Sequence, residues 1–294
     1  MSEVEIVQPC GPLDPASIEA VGRLVRQATA VDGLSPLNEA AQLNLTGGTD
    51  RARHWLVIDD HDTVGYAQLD VRDGYVQLVI APDHRHQGLG RRLAEQVRQQ
   101  APTQSWWAFG NLPSAQGLAH RLGLTPIRGL HLMTRPVPLP ADAAPEWPTG
   151  IRVRHFALAD LDALVAVNAA AFAHHPEQGA LTADDLRSRM AQDWFNPDDL
   201  LLATDQAGAI VGFHWMKITD RQGEVYVLGV APEHSHRGIG RALLAAGILH
   251  MQRRGVQQAE LYVEASESRV VRMYQRSGFT VRRTDMAYAH GEQR

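Results

Sequence analysis

The sequence predicts an α/β (α+β) protein made of two similar domains in tandem. Its 294 residues are a length typical of about two domains. The segments APDHRHQGLGRRLA and APEHSHRGIGRALL match nearly position for position, and their first glycines are 238 − 88 = 150 residues apart. Two glycines that end late helices are 278 − 123 = 155 residues apart. Each unit mixes strand and helix patterns, so we expect sheets flanked by helices.

In the first domain, apolar residues at helical spacing predict a helix over 13–28, and short apolar runs predict strands. The elements in order are a strand at 4–7, that helix, a turn-rich stretch with some helix at 32–48, strands at 54–58, 64–71 and 75–80, a glycine loop and helix, a strand at 105–109, a helix at 114–121 and a strand at 130–134.

A proline-rich stretch then separates the domains, because the five prolines in 134–150 remove backbone donors and disfavour helix. We therefore expect a first domain over 1–135, a linker over 136–150 and a second domain over 151–294. The second domain repeats the plan, with a strand at 151–154, helices at 158–172 and 182–193, strands at 200–204, 210–217 and 224–230, the second glycine loop and helix, a strand at 260–263, a helix at 267–276 and a last strand within 279–288.

Composition excludes several classes of function. The net charge is −5 and no long basic run occurs, which argues against nucleic acid or an anionic membrane as partner. Cys10 is the only cysteine, so no internal disulfide can form, as is usual in a reducing cytosol. The N-terminus lacks a signal-peptide pattern and no apolar run is long enough to span a bilayer. We expect a cytoplasmic protein, and joined units favour a monomer.

The strand, glycine loop and helix over 224–241 predict an anion site. Glycines allow the backbone to approach a ligand, and the first N–H groups of a helix point towards it with the positive end of the helix dipole. Arg237 adds a cation suited to phosphate. A strand–glycine–helix junction is also ordinary packing in any α/β protein, but its occurrence twice favours phosphate binding.

The run Arg237-Gly238-Ile239-Gly240, followed by a tyrosine-containing helix and Gly278-Phe279, resembles the GNAT N-acetyltransferase superfamily. Both halves carry the resemblance. Within that superfamily the chain is similar to the mycothiol acetyltransferases, on the segments HPEQG at 175–179, GFHWMK at 212–217, EVYVLGV at 224–230 and LYVE…VRMYQRSGF at 261–279. The resemblance implies two GNAT domains, each with a mixed, mostly antiparallel sheet, and acetyl transfer from acetyl-CoA to the cysteinyl amine of a small thiol pseudodisaccharide, Cys-GlcN-Ins.

That resemblance also implies the roles of individual residues. Glu224 would be the base that takes the amine proton, and Tyr274 the acid that protonates the leaving thiolate. Acceptor contacts would be Glu39, Glu177, Lys217, Glu224 and Tyr262. Acetyl-CoA would contact Leu228, Gly229, Val230, Ser235, His236, Arg237, Gly238, Ile239, Gly240, Arg241, Glu267, Ser268, Arg269 and Arg272 in the second domain, and Leu78, Val79, Ile80, Arg85, His86, Gln87, Gly88, Leu89 and Gly90 in the first. A bulge at Leu228–Val230 would splay two strands and expose an N–H to the acetyl oxygen.

The two halves differ at the proton-transfer positions. By the 150-residue offset Glu224 falls on Gly74, and by the 155-residue offset Tyr274 falls on Ala119 and Tyr262 on Trp107. We therefore expect a first domain that binds acetyl-CoA, or once did, and does not catalyse. The sequence departs from the family pattern at Glu267, where the pattern has an asparagine.

Other interpretations stay open at this point. The chain could be a GNAT acting on another small amine or a protein N-terminus, or a non-catalytic acetyl-CoA-binding protein. The pairs His84-x-His86 and His234-x-His236 have ligand-like spacing, but no cysteine or acidic partner accompanies them at zinc-site spacing, so we expect no metal.

Overall fold

The computed structural model describes residues 4–9, 11–46, 51–138, 144–174 and 178–291. The chain forms two compact units. Unit 1 comprises Met1–His131, Glu264–Ser266 and Arg283–Arg294, and unit 2 comprises Leu132–Val263 and Glu267–Arg282. Within the described ranges, no helix is both long enough and apolar enough to cross a membrane.

Unit 1 is a mixed sheet with helices packed on it. Strands β1 to β4 pair antiparallel in chain order and β4 pairs parallel with β5. The end of the last strand of the chain, β12 (Thr280–His290), pairs antiparallel with β5. The core lies between this sheet and helices α1 and α3, around fully buried Trp55, Tyr66 and Leu93. The elements are β1 Glu5–Val7, α1 Pro15–Asp32, α2 Glu39–Thr46, β2 Ala52–Asp59, β3 Asp62–Asp70, β4 Tyr75–Ile80, α3 Leu89–Gln100, β5 Ser105–Ala108, α4 Pro113–Arg121 and the first part of β6 Leu124–Pro136.

Unit 2 repeats this plan. Strands β7 to β10 pair antiparallel in chain order, and β10 pairs parallel with β11. One apolar cluster packs on α7 and a second packs on α5 and α6, so the sheet is covered on both faces. The elements are the last part of β6, then β7 Arg152–His155, α5 Leu161–Ala171, α6 Ala183–Met190, β8 Leu200–Thr204, β9 Ile210–Thr219, β10 Gln222–Val230, α7 Ile239–Arg253, β11 Gln258–Glu264, α8 Ser268–Arg276 and the start of β12. The predicted mixed, mostly antiparallel sheet flanked by helices is confirmed in each unit.

The two units are not the contiguous halves that the sequence predicts. Residues 283–294 group with unit 1 because β12 pairs with β5, with Met286 opposite Ala108 and Tyr288 opposite Trp106. The linker also begins inside unit 2, since Val137 is buried and its N–H donates to the Gln257 carbonyl at 2.8 Å. The predicted domain bounds rest on a change of composition along the chain, whereas membership of a unit depends on which strands pair.

Candidate active site

The glycine loop of unit 2 has a fixed backbone shape. Ser235 is extended, His236 has φ +62° and Gly238 has φ +89° where α7 begins. The loop of unit 1 has nearly the same angles, with φ +61° at His86 and +84° at Gly88. Alternating left-handed residues turn successive N–H groups inward, and the helix dipole adds positive potential at the same place. The predicted anion-binding shape is therefore present in both units.

A cavity beside this loop in unit 2 is lined by arginines. Its volume is about 830 Å³, and four arginines from α7 and α8 line it together with Glu267, Val270, Met273 and Ser277: Arg241, Arg269, Arg272 and Arg276. Three of these arginines are predicted from the sequence, and Arg276 is not. The spacing of Arg269, Arg272 and Arg276 along one helix face could have identified it. So many guanidinium groups suit a ligand with several phosphates.

The histidines of the loop contact arginines. Arg269 Nη2 lies 2.6 Å from His236 Nδ1, which joins the loop to α8, and Arg237 Nη1 lies 3.0 Å from His234 Nδ1. The structure thus places the predicted Arg237 guanidinium against its own loop. Among the described residues, no three His, Cys, Asp or Glu side chains are grouped to hold a metal ion.

Strands β10 and β11 pair only at their beginnings. The parallel register runs from Gln222 opposite Gln258 to Glu224 opposite Glu260. Glu224 is half-buried at the last of these pairs, where the strands begin to diverge. In this position a carboxylate stands beside an opening in the sheet.

The bulge lies two residues earlier than the sequence predicts. The register between β9 and β10 shifts between Val225 and Val227, so Tyr226 is the extra residue. The prediction of a bulge at Leu228–Val230 is therefore wrong. Position 229 requires glycine for a different reason: a Cβ there would lie 2.9 Å from Phe213 Cε1 and 3.1 Å from Phe172 Cε2. Close packing of α5 requires it.

Tyr274 lies on α8 in an apolar environment. It is 7% exposed, and its ring meets Phe279 edge-on with centroids 5.7 Å apart. Burial raises the pKa of its phenol to about 12. The group is therefore protonated throughout the neutral range. The predicted Ile239 is fully buried in the core of unit 2, so only its backbone is suited to contact a ligand.

The residues predicted to bind the acceptor lie in different settings. Lys217 is opposite Glu224 across β9 and β10, and Tyr262 on β11 is 41% exposed. Glu39 is half-buried at the first turn of α2 in unit 1. Glu177 lies outside the described residues, next to Gln178, whose amide pairs with buried Asn168 on α5 at 2.9 Å.

Unit 1 has a cavity of its own beside its glycine loop. Its volume is about 430 Å³, and predicted cofactor residues line it with several aromatic side chains: Leu78, Val79, Ile80, Arg85, His86, Gly88, Gly90, Trp106, Trp107 and Phe109. Of the remaining predicted residues, Leu89 is buried in the core and Gln87 donates to the Asp83 carbonyl. Arg85 donates to both Asp32 oxygens, at 2.7 and 2.8 Å, so its charge is already paired.

The strand registers correct the alignment of the two units. Lys217 and Glu224 pair in unit 2 at the position where Asp70 and Tyr75 pair in unit 1. Glu224 therefore corresponds to Tyr75, not Gly74, because the extra residue Tyr226 shifts the count by one. No register shift interrupts β3 and β4 in this part of unit 1.

An arginine occupies the neighbourhood of Tyr75 in unit 1. Arg128 Nη1 donates to the Tyr75 hydroxyl at 3.2 Å, and Arg128 Nε donates to Glu264 at 2.8 Å. The guanidinium also lies 5.3 Å from the centroid of the Trp107 ring. A cation and an aromatic stack thus stand where unit 2 has a carboxylate.

Comparison with known proteins identifies the family. Residues 167–279 match the model of the acetyltransferase (GNAT) family, and residues 50–123 match that of an acetyltransferase (GNAT) domain. The mycothiol acetyltransferase of Propionibacterium freudenreichii subsp. shermanii is 51% identical over 273 residues, which cover 92% of this chain and 87% of that protein. The chain belongs to the mycothiol acetyltransferase family.

A second member of the mycothiol acetyltransferase family, from Actinosynnema mirum, is 42% identical over 289 residues, covering 94% of this chain and 97% of that protein. Among solved structures, a tandem GNAT protein from the clavulanic acid biosynthesis pathway superposes with a TM-score of 0.72 at 17% identity, covering 99% of this chain and 100% of that chain. At that identity the likeness shows the fold alone. The prediction of two GNAT units in a mycothiol acetyltransferase is confirmed.

Proposed function

We propose that this chain transfers the acetyl group of acetyl-CoA to the cysteinyl amine of desacetylmycothiol (Cys-GlcN-Ins), giving mycothiol and CoA. Family membership supports the reaction. The structural observation that carries the proposal is the position of Glu224, a carboxylate at the last residue pair before β10 and β11 diverge.

The loop at 235–241 and the neighbouring arginines are suited to hold acetyl-CoA. The inward-turned N–H groups beside Gly238 fit a pyrophosphate, and Arg241, Arg269 and Arg272 supply positive charge around one cavity. Glu267 brings a negative charge to the same cavity, which those arginines offset. The divergence after Glu224 would leave room for an extended thioester arm between the strands.

Glu224 would act as the base. A cysteinyl α-amine has a pKa near 8, so at neutral pH most of it carries a proton that must leave before it attacks a thioester. The half-buried carboxylate can accept that proton, directly or through one water molecule. The amine lone pair then attacks the acetyl carbonyl carbon. The tetrahedral intermediate loses the second amine proton to solvent, and its collapse breaks the C–S bond and releases the CoA thiolate.

Tyr274 would act as the acid. Its raised pKa keeps the phenol protonated at neutral pH, so the proton is present when the thiolate leaves. A thiolate that forms in the same apolar surroundings is also poorly solvated, which raises the pKa of its thiol and favours its protonation. Burial therefore does not by itself oppose the transfer.

Unit 1 would bind acetyl-CoA without catalysing transfer. It has the loop shape and a cavity, but Tyr75 stands in place of Glu224 and Ala119 in place of Tyr274. The Arg85–Asp32 ion pair reduces the charge available to phosphate, so we expect weaker binding than in unit 2. Cytoplasmic location, the monomeric state and the absence of a metal stay predictions from the sequence.

The test is to incubate the full chain with acetyl-CoA and Cys-GlcN-Ins and to follow free CoA thiol. Release must exceed that seen with unrelated amines, and equal release would contradict the proposed acceptor. Glu224→Gln and Tyr274→Phe should each slow turnover by about 10²-fold. The exposed Glu233→Gln is the matched control and should retain normal turnover. Near-normal rates in the first two variants would remove these residues from the acid–base roles.

A further inference from the structure

The bulge residue Tyr226 distinguishes unit 2 from unit 1. Its insertion places Val225 opposite Met216 on the α7 face of the sheet and Val227 opposite Trp215 on the α5 face. The Tyr226 ring lies on the α5 face, 5.4 Å from the Trp215 ring. Glu224 is opposite Lys217 two residues earlier and lies on the same face of the strand as Tyr226, so the aromatic ring stands next to that pair.

Tyr226 is fixed from two directions. Arg189 Nε on α6 donates to its hydroxyl at 2.9 Å, and Arg189 Nη1 donates to the Asp185 carbonyl at 3.2 Å. The Trp194 ring meets the Tyr226 ring edge-on, with centroids 5.1 Å apart. The tyrosine hydroxyl and ring are thus both held by the segment that contains and follows α6.

The two rings surround the ammonium group of Lys217. Its Nζ lies 4.8 Å from the centroid of the Trp194 ring and 5.8 Å from that of Tyr226. These distances are within the range of cation–π attraction, which is strongest where the cation is partly desolvated. Lys217 is half-buried, so ring faces replace part of its hydration.

Lys217 is also the only lysine in the 294-residue sequence. Every other side chain with a permanent positive charge is an arginine. An ammonium is a compact point charge with three rotatable donors, whereas a guanidinium is a wide planar fork. The site therefore uses a side-chain donor of a kind that no other residue of the chain supplies, and this donor suits hydroxyl groups better than a planar anion.

We propose that Tyr226, Trp194 and Arg189 are positioning residues that hold the Lys217 ammonium beside Glu224. There the ammonium binds hydroxyl groups of the acceptor and so orients the acceptor's amine. This inference rests on the proposed function. A lysine side chain has many rotamers. If the Trp194 and Tyr226 rings restrict them before the acceptor arrives, less conformational entropy is lost when the acceptor binds. The contribution should therefore appear in the KM for the acceptor and not in the KM for acetyl-CoA.

Steady-state kinetics with Cys-GlcN-Ins and acetyl-CoA test whether these residues position Lys217. Tyr226→Leu, which removes the ring and the hydroxyl, should raise the acceptor KM by about tenfold. Tyr226→Phe keeps the ring and should raise it about threefold, through loss of the Arg189 hydrogen bond. A change in kcat or in the acetyl-CoA KM as large as that in the acceptor KM would indicate a merely structural role and would contradict the proposal.

A double-mutant cycle with Lys217→Met separates action through the lysine from other effects. Tyr226→Leu should change the acceptor KM little in the Lys217→Met background. Equal tenfold effects with and without the lysine would overturn the inference. If Tyr226→Leu does not fold, Trp194→Leu at the partly exposed ring supplies the same cycle.

A direct readout does not depend on turnover. Reductive ¹³C-methylation labels only Lys217 and the α-amine, and it preserves the charge of both. The Lys217 methyl signal, assigned by its loss in Lys217→Met, should be shifted upfield by the two rings and should return towards the free-lysine position in Tyr226→Leu. An unshifted signal would show that the Trp194 and Tyr226 rings do not hold the Lys217 ammonium, and would contradict the proposal. Failure of the unchanged chain to acetylate Cys-GlcN-Ins would instead contradict the proposed function.

Discussion

Acid should destabilise this protein through His214, which is fully buried on β9. Its Nδ1 lies 2.9 Å from the Leu243 carbonyl on α7, and Nε2 is buried with no hydrogen-bond partner among the described residues. Gly247 makes room for the ring, since a Cβ there would lie 2.1 Å from His214 Cε1. The imidazole therefore has no space for water to solvate a second proton.

The size of the effect follows from the pKa. Burial, assisted by nearby His250, lowers the pKa of His214 from its usual 6.5 to about 4, although the Leu243 carbonyl opposes the shift. The unfolded chain therefore binds a proton below pH 6.5 that the folded chain does not bind until about pH 4. The contribution of His214 to the free energy of unfolding is largest above pH 6.5 and falls between these values, by about 3 kcal/mol in total and by about 2 kcal/mol from pH 7.5 to pH 5.

Denaturant unfolding at pH 7.5 and pH 5, followed by tryptophan fluorescence, measures this loss. In His214→Met the free energy of unfolding should fall by about 2 kcal/mol less over the same interval, whatever its value at pH 7.5. His120→Gln, at an exposed position of α4, is the matched control and should leave the pH dependence unchanged. An identical loss in His214→Met and the unchanged chain would refute the reasoning.

Three further predictions concern the loops and their arginines. Arg272→Gln should raise the KM for acetyl-CoA by about tenfold and leave the acceptor KM unchanged in steady-state assays; a change in the acceptor KM alone would contradict it. Gly238→Ala should cost about 1–2 kcal/mol of unfolding free energy because φ is +89°, whereas Gly240→Ala, with its nearest contact 3.5 Å away, should cost little; equal losses would show that φ is not the cause. Arg85→Gln should cost about 2 kcal/mol by leaving the Asp32 carboxylate unpaired, and a second change, Asp32→Asn, should recover part of this in unfolding experiments; purely additive losses would contradict the ion-pair explanation.

Much of the site can be predicted because its signals are local. The glycine loop, the helix after it and the Arg269–Arg272 spacing each lie within a few residues, so helix geometry and backbone φ fix them directly. The repeat then singles out Glu224, since only one of the two loops follows a strand that begins with a carboxylate. Strand bounds such as Tyr75–Ile80 and Leu200–Thr204 also agree with the sequence pattern.

Other features depend on pairing between distant segments. Counting residues from the glycines aligns Glu224 with Gly74, but a bulge adds a residue without changing the apolar pattern, so only the register reveals Tyr75 as the counterpart. The grouping of residues 283–294 with unit 1 likewise follows from hydrogen bonds between β12 and β5.

The sequence by itself determined the two GNAT units, their glycine loops and the glutamate that only the second unit has before its loop, because these are properties of composition, period and short spacing. Tertiary structure decided the surroundings of Lys217. Arg189 and Trp194 belong to one segment, whereas Tyr226 lies on β10, and only the packing of α6 and the following residues on the sheet brings them together around Lys217 on β9. Side-chain neighbours across a sheet are set by register and burial, which no short stretch of sequence records.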